Sequence, residues 1–66
     1  MRRQIANNVS AQDKLICVER ELQRRYRIYP QLVAYGSMTV AQMKHEIAVM
    51  EQIATDLRKA TEKEIA

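Results

Sequence analysis

Tyr29-Pro30-Gln31-Leu32-Val33-Ala34-Tyr35-Gly36-Ser37-Met38-Thr39-Val40-Ala41-Gln42-Met43 is the stretch that decides the fold, because the helix stop and start signals of the middle of the chain all lie in it. A residue before proline is pushed out of the α region, so Tyr29 predicts that a preceding helix ends near Ile28. Pro30 suits the first position of a short helical turn through Ala34, which Gly36 can terminate in a left-handed conformation. Thr39 and Gln42 form a T-x-x-Q capping box, and Met38 and Met43 stand at the two positions of a hydrophobic staple. The stretch therefore predicts a structured turn over 29–38 between two helices.

Downstream, Val40, Met43, Ile47, Met50, Ala54 and Leu57 follow an unbroken three-four pattern that predicts a helix from Val40 to about Lys63, and Ile53 widens its apolar face. Upstream, Ser10 reads as an N-cap with Asp13 three residues on, in the positive field of the helix start. Ala11, Leu15, Val18 and Leu22 then fall in a stripe ~60° wide, continued at its edge by Tyr26. This predicts a first helix over about 11–28. At 1.5 Å per residue it measures ~27 Å against ~36 Å for the second, so the second is expected to overhang. Residues 1–9, with Asn7-Asn8 and only Ile5 and Val9 apolar after Met1 and before Ser10 apart from Ala6, are expected to be a flexible or loosely docked arm. Residues 10–66 form a single unit.

The fold class is therefore all-α, an antiparallel helical hairpin. Sixty-six residues hide only ~60% of the surface of the unfolded chain, which leaves a lone copy marginal. One cysteine (Cys17) and one histidine (His45) supply neither a disulfide nor a structural metal site within one chain. Association remains, and helical hairpins commonly pair into four-helix bundles. A homodimer is expected, with Val40 to Leu57 of both copies in a shared core and Met43 and Met50 as adaptable filler.

With 47% apolar residues, 29% charged, one Gly and one Pro, the composition favours folding over disorder, and the abundance of Ala, Gln, Glu, Arg, Lys and Met favours helix. No apolar run long enough for a secretory signal or a membrane span follows the basic start, so a cytoplasmic protein is expected. A nucleophile needs a base beside it and an orienting group behind that base. Cys17 and His45 lie off the apolar seams of different helices, and no spacing suits a metal. The expectation is a protein that is not an enzyme and uses no cofactor.

Charge is concentrated. The net charge is +3, yet residues 20–27 hold four arginines against one acid. Arg20, Arg24 and Arg27 fall within ~60° of one another, opposite the Leu15/Val18/Leu22 seam, and make an outward stripe. It reads either as a solvated face that complements the helix dipole or as a surface for a phosphate, a nucleotide or an acidic protein. Tyr26, Tyr29 and Tyr35 gather at the same end, as a small local core or as an interface, and Tyr35 beside Gly36 is the one expected to be exposed. Arg25 sits at the margin of the seam and Glu46 inside the apolar arc of the second helix. A partly buried carboxylate requires a partner, so an Arg25–Glu46 pair is expected across the hairpin, with Glu21 able to share the guanidinium. Ile16 and Cys17 flank the stripe and are expected to be exposed.

Residues 17–53 resemble a family of short uncharacterised proteins common in bacteriophages and prophages, with a Cys-x-x-Arg-Glu start, a Tyr-Pro-x-x-Val-x-x-Gly-x-Met-Thr middle and a Glu-Ile pair before a Met-containing helix. The residues that carry the resemblance are Cys17, Arg20, Glu21, Tyr29, Pro30, Val33, Gly36, Met38, Thr39, Glu46, Ile47 and Met50. Ser37 stands where a basic residue is frequent, and Met43 where alanine is frequent. The resemblance implies a phage origin, which favours a small inhibitor or adaptor that binds a host or phage protein. The arginine stripe and the tyrosines at the turn end then supply its expected contact residues, Arg20, Arg24, Arg27, Tyr29 and Tyr35. The alternatives are a small nucleic-acid or nucleotide binder using the arginine stripe and a structural subunit of an assembly.

Overall fold

The computed structural model describes residues 8–65. Two helices, α1 (Ala11–Ala34) and α2 (Val40–Ile65), pack against each other as a hairpin. Residues 1–7 of the expected arm, and Ala66, lie outside the described residues.

Each helix starts at a reciprocal cap. The Ser10 hydroxyl accepts from the Asp13 N–H at 3.0 Å, and the Asp13 carboxylate accepts from the Ser10 N–H at 3.2 Å. At α2 the Thr39 hydroxyl accepts from the Gln42 N–H at 3.0 Å while the Gln42 side-chain oxygen accepts from the Thr39 N–H at 2.9 Å. Each box satisfies two backbone donors that helix geometry leaves free, a contribution of about 1 kcal/mol.

The first helix does not end near Ile28. It runs through Tyr29 and Pro30 to Ala34 as one continuous helix, so the separate turn expected over 29–38 shortens to Tyr35–Thr39. Pro30 has no N–H to give to the Tyr26 carbonyl, but both residues are exposed, and water can serve the freed carbonyl. Beyond the proline the extra turn half-buries Leu32 and Val33. It is then locked by a Schellman closure, in which the Gly36 N–H donates to the Val33 carbonyl at 3.0 Å and the Ser37 N–H to the Leu32 carbonyl at 2.9 Å. Gly36 takes the positive φ of 81° that this closure requires. Packing and capping together outweigh the local bias of a residue before proline. The expected overhang disappears with it: 24 and 26 residues make helices of ~36 and ~39 Å.

Cross-helix links fix an antiparallel register. Ala11 meets Glu64, Glu19 meets Arg58, Tyr26 meets Glu51, and Arg25 meets Glu46, so the partner number falls as the α1 number rises. Leu22 lies between Glu19 and Tyr26, and Ala54 between Arg58 and Glu51, which sets the two at the same level. They are the fully covered pair among the described residues, 6% and 1% exposed. Leu15, Val18, Met43, Ile47, Met50 and Leu57 line the same seam but are only half-buried. Val40, expected in the seam, is 48% exposed: it opens α2 beyond the last covering side chain of α1, and Tyr35 at the α1 C-cap turns outward. Among the described residues no helix is long and apolar enough to cross a membrane.

Candidate functional site

At 100° per residue Arg20, Arg24, Arg27, Gln31 and Tyr35 fall on the side of α1 opposite Leu22, and all five are exposed. Helical rise separates the arginines by ~6 Å and ~4.5 Å along the axis. Arg24 reaches the Glu21 carboxylate only at 3.8 Å and keeps a 66% exposed side chain. Among the described residues Arg20 and Arg27 have no carboxylate within 4.0 Å. Cys17, Arg20, Glu21, Gln23, Arg24 and Arg27 line an open groove, but all belong to α1. The groove is the space between long side chains on a convex surface, with no second element among the described residues to enclose a small ligand.

The tyrosines separate. Tyr35 is 80% exposed and shares the arginine face. Tyr29, expected beside it as a contact residue, is half-buried, with the Arg25 guanidinium over its ring at 5.4 Å from the centroid. Continuation of the helix through Pro30 causes the difference, since it carries Tyr29 round to the seam side.

Arg25 and Glu46 are brought together. The Arg25 guanidinium donates to the Glu46 backbone carbonyl at 3.0 Å and lies 3.7 Å from its carboxylate, while Nε donates to Glu21 at 3.0 Å. The partly buried member is not the carboxylate. The Arg25 side chain is 19% exposed and that of Glu46 50%, so it is the guanidinium whose donors must be satisfied. Glu21, Glu46 and the Tyr29 ring together meet that requirement, and Arg25 serves the fold.

The two edges of the hairpin are unlike. On one, Arg58 donates to Glu19 at 3.1 Å and the Tyr26 hydroxyl donates to Glu51. Accepting that hydrogen bond, the Glu51 carboxylate holds the Tyr26 phenol above its ordinary pKa; loss of solvent and the Glu51 charge act in the same direction, and the Arg58 charge opposes them. At the open end, Glu64 accepts from the Ala11 N–H at 3.0 Å, placing a carboxylate from α2 on the positive end of α1. On the other edge, which carries the Arg25–Glu46 link toward the turn, α2 presents Val49 and Ile53, 42% and 39% exposed, beside half-buried Met50, Leu57 and Ala60. These residues recur at helical spacing and make a continuous apolar stripe. The sequence carries no isolated signal for the polar links. Opposite charges at matching wheel angles are visible, but pairing them requires a register that only the true end of α1 supplies.

Cys17 and His45 are both exposed, and the register separates them by ~20 Å along the hairpin. Among the described residues no group of three or more His, Cys, Asp or Glu could hold a metal ion. No family model matches this chain, and no curated protein or solved structure does either.

Proposed function

We propose that the chain is a small protein of bacteriophage or prophage origin that acts by binding rather than catalysis, as an inhibitor or adaptor of a host or phage protein in the bacterial cytoplasm. The contact surface is the outward face of α1. The observation that carries the reading is that Arg20, Arg24, Arg27 and Tyr35 stand exposed on one face, free of the work that Arg25 and Tyr29 do for the hairpin. A Schellman closure asks nothing of the side chain at its cap, so the tyrosine left 80% in water at Tyr35 has no role in the fold. Arg and Tyr are the residue types that dominate the energetics of protein interfaces.

The hairpin acts as a homodimer in a four-helix arrangement. Two fully covered residues are a small core for a free-standing unit, and the Val49/Ile53 edge offers a second copy an apolar stripe at helical spacing. This edge lies away from the arginine face, so self-association leaves both contact faces free.

The test is capture of partners from a bacterial lysate by the tagged full chain, with and without nuclease, beside Arg24→Glu and Tyr35→Ala variants of unchanged helicity. The reading predicts a stoichiometric protein that survives nuclease and is lost with both variants. Retention by both variants contradicts it. Recovery of nucleic acid alone favours a nucleic-acid binder, and recovery of the chain alone favours a structural subunit.

A further inference from the structure

We infer that the partner of the α1 face is an acidic helix, whose carboxylates at three-four spacing meet Arg20, Arg24 and Arg27. The inference rests on the reading that this face binds a protein, and it names the chemistry of that protein.

Three observations support it. The first is spacing. Residues at i, i+4 and i+7 form one line along a helix, and a second helix laid against that line presents carboxylates at the same axial repeat only if its acids share the spacing. Arg20 and Arg27 have no carboxylate within 4.0 Å among the described residues, and the contact of Arg24 to Glu21 is long and solvent-exposed, so all three guanidinium forks are free to take a carboxylate in two-point geometry.

The second is the distribution of charge over the whole chain. Eleven basic side chains face eight acidic ones, a net charge of +3, and setting aside Arg20, Arg24 and Arg27 leaves eight against eight. The stripe therefore equals the entire excess. A nucleic-acid duplex presents a charge every ~1.7 Å along its whole length. Three arginines within ~10.5 Å of helix, on a chain otherwise balanced, match a short acidic segment instead.

The third is shape. The face is the convex side of a single helix, which suits an elongated partner and not an enclosed small anion. It is bracketed by apolar groups: Ile16, 49% exposed, with the exposed Cys17 at one end, and Tyr35 at the other. Ile16 to Tyr35 spans ~28 Å, about five helical turns of a partner. Charge in the middle with apolar anchors at the ends fixes both register and length.

Anisotropy of three labelled probes on the full chain tests the proposal. The probes are a synthetic helical peptide with glutamates at i, i+4 and i+7 on one face, the same peptide with glutamines there, and a mixed-sequence DNA duplex. The glutamate peptide is expected to bind at least about tenfold more tightly than the glutamine peptide, roughly the effect of one charge-assisted hydrogen bond. That preference is expected to disappear in the Arg20→Gln/Arg24→Gln/Arg27→Gln variant, whose three changes are all on exposed positions, with circular dichroism unchanged. Equal binding of the two peptides, or tighter binding of the duplex, overturns the proposal. Competition separates this inference from the reading beneath it. A lysate partner that Arg24→Glu and Tyr35→Ala lose, but that saturating glutamate peptide does not displace, leaves the protein-binding surface standing and overturns the acidic helix. Its displacement by the glutamate peptide and not by the glutamine peptide supports it.

Discussion

Glu51 on α2 accepts a hydrogen bond from the Tyr26 hydroxyl on α1, tying the two helices at an edge where the aromatic residue is otherwise 41% exposed. The bond exists only while the phenol keeps its proton, and it raises the Tyr26 pKa in the folded state. A group whose folded pKa lies above its unfolded value contributes stability fully below the unfolded pKa and loses it as pH rises through the folded one. Thermal unfolding followed by circular dichroism should therefore show a contribution that persists through neutral pH and disappears above about pH 10. Tyr26→Phe is expected to remove that alkaline component, so that its stability falls less steeply than wild type over the same range.

Arg25 is the most heavily used polar side chain among the described residues, joined to Glu21, to Glu46 and to the Tyr29 ring. Truncation removes a charge-assisted bond across the helices and leaves the Glu21 carboxylate without its close partner. Arg25→Ala should destabilise the fold by about 1.5–3 kcal/mol, measured by urea denaturation. Arg24→Ala, on the exposed face, should change it by less than about 0.5 kcal/mol.

Pro30 lies inside α1, where its ring denies the Tyr26 carbonyl a backbone donor. Pro30→Ala restores that donor and lifts the restriction on Tyr29, against a gain in unfolded-state freedom of roughly 0.4–1 kcal/mol. The variant should be more stable than wild type by about 1 kcal/mol or more. A separate turn beginning at Pro30 would give the reverse, because alanine would then loosen the connector.

This proline marks the boundary of what the sequence discloses. Two helices packed as a hairpin are legible from the seams of Leu15, Val18 and Leu22 and of Met43, Ile47, Met50 and Leu57. Helix caps are legible too, since the hydroxyls of Ser10 and Thr39 act on donors three residues away and Gly36 adopts a conformation few other residues accept. What local signals do not carry is the competition between the bias before Pro30 and the packing gained by Leu32 and Val33 one turn later. That competition sets the length of α1, and the length sets the register. Without the register, Glu19 and Arg58, or Tyr26 and Glu51, are only opposite groups on two wheels. The candidate site divides in the same way. Arg20, Arg24, Arg27 and Tyr35 share a face by helical spacing alone, whereas Tyr29 leaves them because the helix does not stop before it.

If a second copy covers the Val49/Ile53 edge, a charge there should prevent it. Ile53→Lys is expected to halve the mass seen by light scattering and to abolish the dependence of the melting temperature on protein concentration. A wild-type chain that is already monomeric at the concentrations used would contradict the homodimer, and a variant that stays dimeric would contradict the placement of its interface at this edge.

The most direct measurement of the central claim is amide chemical-shift mapping of the isotope-labelled chain on addition of the captured protein. The account predicts changes concentrated along the outward face of α1, at Arg20, Arg24, Arg27, Gln31 and Tyr35, with the Val49/Ile53 edge unaffected. Changes confined to that edge, with the arginine face silent, would contradict it.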